Sequence, residues 1–122
     1  MTISMQGKRG LIMGVANERS IAWGIAKAMA EAGAELAFSY QGEAFGKRLQ
    51  PLAQSVGSDI MVDLDVTDDA SMDAGFDLLK DRWGTLDFVV HAIAYSDKNE
   101  LSGGIAKTSR ENFKNSLAIS CY

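Results

Sequence analysis

A loop reading Gly14-Val-Ala-Asn-Glu-Arg-Ser20-Ile21-Ala22-Trp-Gly24 follows a short apolar segment and opens a helix-like one, the place where a chain can hold phosphate. The first turn of a helix presents unpaired backbone N–H groups and the positive end of its dipole. Gly14 supplies the backbone freedom to leave the strand, and Ser20 offers a hydroxyl and its N–H. Ala22 is small enough for close helix-to-strand approach, and Arg19 adds positive charge. A strict Gly-x-Gly-x-x-Gly is absent, so the loop alone also fits a merely structural strand-to-helix turn.

A second group lies after the next apolar segment, at Tyr40-Gln41-Gly42-Glu43. In nucleotide-binding folds this position meets the adenosine ribose, where an acidic group favours a free 2′-hydroxyl and an arginine a 2′-phosphate. Gln41 can hydrogen-bond a ribose hydroxyl and Glu43 would repel a phosphate, a pattern that favours NADH over NADPH; the plainer alternative is that Gln41 starts a solvated loop. A third group, Asp63-Leu-Asp65-Val66-Thr67-Asp68-Asp69, offers a carboxylate for the exocyclic amine of adenine and Val66 for its ring. Taken by itself that cluster reads as helix capping and solvation rather than as an adenine site. His91-Ala-Ile93-Ala94-Tyr95-Ser96 places small residues where backbone would pass close to a nicotinamide ribose. His91, alone in an apolar strand, is expected to be a hydrogen-bonded core residue, and Cys121 a small buried hydrophobe.

These residues need a scaffold that brings several strand ends together. Short apolar runs at Arg9 to Met13, Glu35 to Tyr40, Ile60 to Leu64 and Leu86 to Ile93 alternate with segments of helical period, the signature of β-α-β units. The first helix is expected to bury Ile21, Ile25, Ala28, Met29 and Ala32, with Ser20 as N-cap and Gly33 after its end. The second carries Phe45, Leu49, Leu52 and Val56 on one face, with Pro51 expected to kink or break it. The third spaces Met72, Phe76, Leu79 and Trp83 along one face, capped by Asp68 or Asp69 and followed by Gly84. Thr108-Ser-Arg-Glu111 has capping-box spacing before a last helix with Phe113, Leu117 and Cys121. Right-handed crossovers turn this pattern into an α/β fold: a Rossmann-like doubly wound parallel sheet in a three-layer α-β-α arrangement, strand order 3-2-1-4. The sheet is expected to be incomplete in this chain, with strand four an exposed edge.

A formal charge of −4 provides no basic stripe for nucleic acid or an anionic membrane. No apolar run approaches a membrane span and no signal-peptide pattern opens the chain, so a cytoplasmic protein is expected. One cysteine and one histidine leave no internal disulfide and no Cys/His metal cluster.

On these residues the chain resembles the enoyl-acyl-carrier-protein reductases, a divergent branch of the short-chain dehydrogenase/reductases. The likeness runs over the whole chain and rests on Gly14-x5-Ser20-x-Ala22 followed by Trp-Gly-Ile-Ala, on Gly33-Ala-Glu-Leu-Ala-Phe-Ser-Tyr-Gln41, and on Gly57-Ser-Asp-Ile. Asp65-Val66, His91-Ala-Ile93, Asn112-Phe and Ile119-Ser-Cys-Tyr122 extend it. Ala94, often glycine in the family, and Ser96, often alanine, depart from it.

The resemblance implies an NADH-dependent oxidoreductase of type II fatty-acid synthesis that transfers hydride to the double bond of an enoyl thioester carried on acyl carrier protein. It implies that Gly14, Ser20 and Ile21 hold the pyrophosphate end of NAD, Gln41 the ribose, Asp65 and Val66 the adenine, and Ile93 the nicotinamide side, while Ser96 meets the acyl substrate. The family's catalytic tyrosine and lysine, spaced Tyr-x6-Lys, are expected beyond Tyr122, so no catalytic residue is assigned and residues 1–122 are expected to be the N-terminal part of a single NAD-binding domain, inactive alone. A homotetramer is implied likewise. The rival readings are another short-chain dehydrogenase/reductase acting on a carbonyl, which would normally carry a Gly-x3-Gly-x-Gly turn absent here, and a non-catalytic nucleotide-binding module.

Overall fold

A computed structural model describes residues 3–122, which form two compact units divided after Ala92. The first unit alternates strand and helix: β1 (Arg9–Met13), α1 (Ile21–Glu31), β2 (Glu35–Tyr40), α2 (Glu43–Ser55), β3 (Ile60–Asp63), α3 (Asp69–Trp83) and β4 (Phe88–His91). All strand pairs are parallel and the order is β3-β2-β1-β4, the expected doubly wound α/β sheet. A single register carries this order: Ile12 pairs with Phe38 on one side and with Val90 on the other.

One core cluster joins Ile12, Leu36 and Phe38 of the sheet to Ala22, Trp23 and Ala26 of α1 and Leu49 and Ala53 of α2. The Trp23 and Phe38 rings lie 6.2 Å apart at a tilt of 42°. The buried stripe of α1 therefore differs from the expected one: Ile21 is exposed, and Ala28 is exposed too. Small alanines let the helix backbone approach the strands, a packing gain that a ranking by hydrophobicity overlooks. On α2, Leu49 and Ala53 are buried with Leu52 and Val56 packed beside them, whereas Phe45 is exposed; the helix runs through Pro51 without breaking. On α3 only Gly75 and Leu79 are buried. Phe76 is exposed, and the helix meets β3 through Gly75, where an added Cβ would come within 3.2 Å of Val62 and 2.8 Å of Leu64 just past the strand.

Two strands are shorter than expected. β3 stops at Asp63, although the Leu64 N–H still donates to the Tyr40 carbonyl at 2.7 Å. β4 covers only Phe88–His91; just before it Asp87 brackets Arg9, its N–H donating to the Arg9 carbonyl at 2.8 Å and its carboxylate accepting the Arg9 N–H at 2.9 Å. As an edge strand β4 alternates: Phe88 and Val90 pack on the core, while Val89 and His91 are exposed. His91 is thus a correction to the core histidine that was expected. Its side chain lies on the opposite face from Val90, by the period of two along a strand.

The second unit holds two single 3-10 turns, η1 (Lys98–Glu100) and η2 (Ile105–Lys107), and helix α4 (Arg110–Ser120). The cap of α4 is Ser109, one residue after the expected Thr108; its Oγ accepts the Asn112 N–H at 3.1 Å. Glu100, rather than Glu111, completes the cap: its carboxylate accepts both the N–H and the hydroxyl of Ser109, at 2.6 and 2.8 Å. Phe113 and Leu117 are exposed, and so is Cys121, which was expected to be buried. The inward position of α4 belongs instead to Asn112, a polar residue whose hydrogen bonds within the unit are satisfied.

Candidate functional site

The carboxyl ends of parallel strands are where open α/β sheets bind ligands. Here Gly14 follows β1, Gln41 follows β2, and Asp65 and Val66 follow β3, so the first unit gathers these four expected site residues along one edge of the sheet.

Gly14 leaves β1 at φ +107, where L side chains are strained, and the Ala92 carbonyl oxygen fills the space a Cβ would take. Next in the loop, the Ser20 hydroxyl accepts the N–H groups of Ala16 and Asn17 at 3.0 and 3.2 Å, and the Asn17 side chain accepts the Arg19 N–H at 2.8 Å. Ser20 has extended backbone and caps α1 by position, without the side-chain bond to the helix that was expected. Its N–H also differs in use, donating to the Asn17 carbonyl at 3.1 Å rather than standing open. Ile21 and Ala22 are then the first residues of α1 whose N–H groups precede the intrahelical ladder; the N–H of Trp23 already bonds Ser20. The Ile21 side chain is 81% exposed while that of Ala22 is buried.

At the end of β2, Gln41 is exposed and Gly42 adopts φ +87 as the residue before α2. The Gly42 N–H donates to Asp63 Oδ1 at 3.1 Å. In sequence Asp63 stands only as part of an acidic cluster; its place at the last register position of β3, opposite Tyr40, is what gives it this partner.

After β3, Asp65 Oδ1 accepts from the Thr67 hydroxyl at 2.6 Å and the Thr67 N–H at 2.8 Å. The hydroxyl first, and the backbone N–H second, hold its carboxyl below the usual aspartate range against a small opposing effect of burial. Ser71 of α3 accepts the Asp65 N–H at 2.9 Å, a support that spacing alone did not reveal. Asp68 caps α3 by accepting from the N–H groups of Ala70 and Ser71.

Ile93 and Ser96 belong to the second unit. Ser96 Oγ accepts from Asn112 Nδ2 at 3.2 Å, and Asn112 Oδ1 accepts the Asp97 N–H at 2.9 Å. Among the described residues no group of His, Cys, Asp and Glu could hold a metal ion, and no helix is long and apolar enough to cross a membrane.

The family model described as enoyl-(acyl carrier protein) reductase matches residues 14–122. A curated relative from Rhizobium meliloti, enoyl-[acyl-carrier-protein] reductase [NADH] 2, is 64% identical over 118 residues, which are 97% of this chain and 44% of the relative. The crystal structure of FabI from Candidatus Liberibacter asiaticus superposes with a TM-score of 0.95 at 61% identity, covering 99% of this chain and 47% of that one. An enoyl-(acyl-carrier-protein) reductase from Anaplasma phagocytophilum, solved in complex with NAD, superposes with a TM-score of 0.95 at 53% identity, covering 100% and 47%. The chain spans less than half the length of these relatives. With the family match covering most of its residues, this chain belongs to the enoyl-(acyl carrier protein) reductase family.

Proposed function

We propose that residues 1–122 are the N-terminal, cofactor-binding part of a single-domain NADH-dependent reductase that reduces the double bond of enoyl thioesters carried on acyl carrier protein, in type II fatty-acid synthesis. The observation that carries this reading is the first turn of α1. Within the loop the N–H groups of Ala16, Asn17, Arg19 and Ser20 are engaged, and the N–H groups of Ile21 and Ala22 at the start of α1 are left to meet an anion. The relatives named for NADH and the relative solved with NAD support the choice of dinucleotide.

When bound, NADH supplies the hydride. The chain's own residues hold and orient it. Gly14, at φ +107 with the Ala92 carbonyl where a Cβ would stand, sets the turn that carries the pyrophosphate to α1, Ser20 keeps its hydroxyl proton to donate, and the Ile21 N–H faces the phosphate. Gln41 hydrogen-bonds the adenosine ribose. Asp65, with one oxygen engaged by Thr67, turns its other oxygen to the adenine amine, and Val66 packs on the ring. Ile93 lies on the nicotinamide side, and Ser96, accepting from Asn112, directs its O–H to the acyl substrate. No residue of this chain is assigned to catalysis. The complete enzyme works in the cytoplasm as a homotetramer.

Ile21→Pro tests the carrying observation. Proline is accepted at the first helical position, and the extended Ser20 suits the residue before it, so the exchange deletes one N–H and a solvent-exposed side chain with little strain. By calorimetric titration of the full-length protein, the Kd for NAD should rise about tenfold, the size of one charge-assisted hydrogen bond. An unchanged Kd in the folded variant would remove the pyrophosphate from this turn.

A further inference from the structure

The turn after β2 is fastened on both sides of Gln41. On one side the Tyr40 carbonyl accepts the Leu64 N–H at 2.7 Å; on the other, the Gly42 N–H donates to Asp63 Oδ1 at 3.1 Å. Gln41 is therefore bracketed by two bonds to the end of β3, one of them accepted by a carboxylate. The neighbouring cations are engaged elsewhere. Lys47 pairs with Glu43 at 3.2 Å within α2, and the Arg48 guanidinium lies 5.9 Å over the Phe45 ring.

We propose that Asp63 is a positioning and specificity-determining residue for the adenosine ribose: its carboxylate fixes the turn that presents Gln41 and sets a negative charge against a 2′-phosphate. In many nucleotide folds the selecting carboxylate stands at the end of the second strand itself. Here that position is a neutral glutamine, and the charge is delivered from the adjacent strand through the bond to Gly42. The inference rests on the dinucleotide reading given above.

Two variants separate the two roles. Asp63→Asn keeps an oxygen that can accept the Gly42 N–H and removes the charge; Asp63→Ala removes both. Binding of NAD and of NADP to the full-length protein is measured by titration calorimetry, with thermal unfolding as the check on folding. In D63A the affinity for NAD should fall about fivefold, because the turn that presents Gln41 loses the bond that holds it, and D63N, which keeps a neutral acceptor for the Gly42 N–H, should recover most of that loss. In both variants the preference for NAD over NADP should narrow about fivefold, since a unit charge no longer opposes a group of nearly two. The D63N preference decides the charge role by itself even if D63A unfolds. A D63N protein that keeps the original preference overturns the proposal and leaves the dinucleotide reading intact. An unmutated protein that binds neither dinucleotide overturns both.

Discussion

The backbone carbonyl of Ala92 lies where a side chain on Gly14 would have to go, so the turn that leaves β1 is locked against the end of β4 by the absence of a single Cβ. This contact links the start of the loop proposed to hold phosphate to the edge strand, and it makes Gly14 a residue of the fold as much as of the candidate site.

Gly14→Ala should therefore destabilise the full-length protein by about 2 kcal/mol or more, from the positive φ together with the overlap on Ala92. Urea unfolding checks the stability, and NAD titration of whatever remains folded should show weaker binding than in the parent. A variant with unaltered unfolding midpoint would mean that the turn relaxes freely.

Ser20 is held to its loop through two accepted hydrogen bonds rather than through the helix. Ser20→Ala leaves the N–H groups of Ala16 and Asn17 without their partner, and should cost about 1 kcal/mol in unfolding free energy while lowering their protection from hydrogen exchange. Exchange measured at those two amides is the direct check: faster in the variant if the hydroxyl is their acceptor, equal if it is not.

Much of the scaffold was legible in the sequence, because alternating apolar runs and helical segments combined with the right-handed crossover rule leave few strand orders, and β3-β2-β1-β4 is the one that forms. The helix faces were harder to read. Trp23, Ala22 and Ala26 face the sheet although Ile21 and Ile25 look the better core residues, and Gly75 makes the α3 contact with no side chain at all. Hydrophobic period records greasiness, whereas helix-on-sheet packing also selects for small size. In the candidate site, Gly14, Ser20, Gln41 and Asp65 could be proposed from loop position, and the strand ends do carry Gly14, Gln41 and Asp65 to one edge of the sheet. Their supports, Asp63 on Gly42 and Ser71 on Asp65, could not, since each joins segments that only strand register and helix docking bring together.

Asp65 gives a pH-dependent signature. Its carboxyl is held below the usual aspartate range in the fold, so its contribution to stability is complete above the unfolded value of about 3.9 and fades as the pH falls below that, through the lower folded value. Thr67→Val removes the hydroxyl, the larger of the two causes, and leaves the backbone N–H. The Asp65 pKa, followed by the carboxyl carbon resonance in an NMR titration, should move up toward the ordinary value. No movement would assign the depression to something other than Thr67.

The measurement that bears most directly on the account follows NADH oxidation by the full-length protein with two substrates on acyl carrier protein, a crotonyl thioester and an acetoacetyl thioester, and identifies the products. NADH should be consumed with the crotonyl substrate, one equivalent for each butyryl thioester formed, and not with the acetoacetyl substrate. Oxidation with the acetoacetyl substrate alone, giving the hydroxy product, would make the protein a carbonyl reductase, and no oxidation with either would contradict a reductase of this kind.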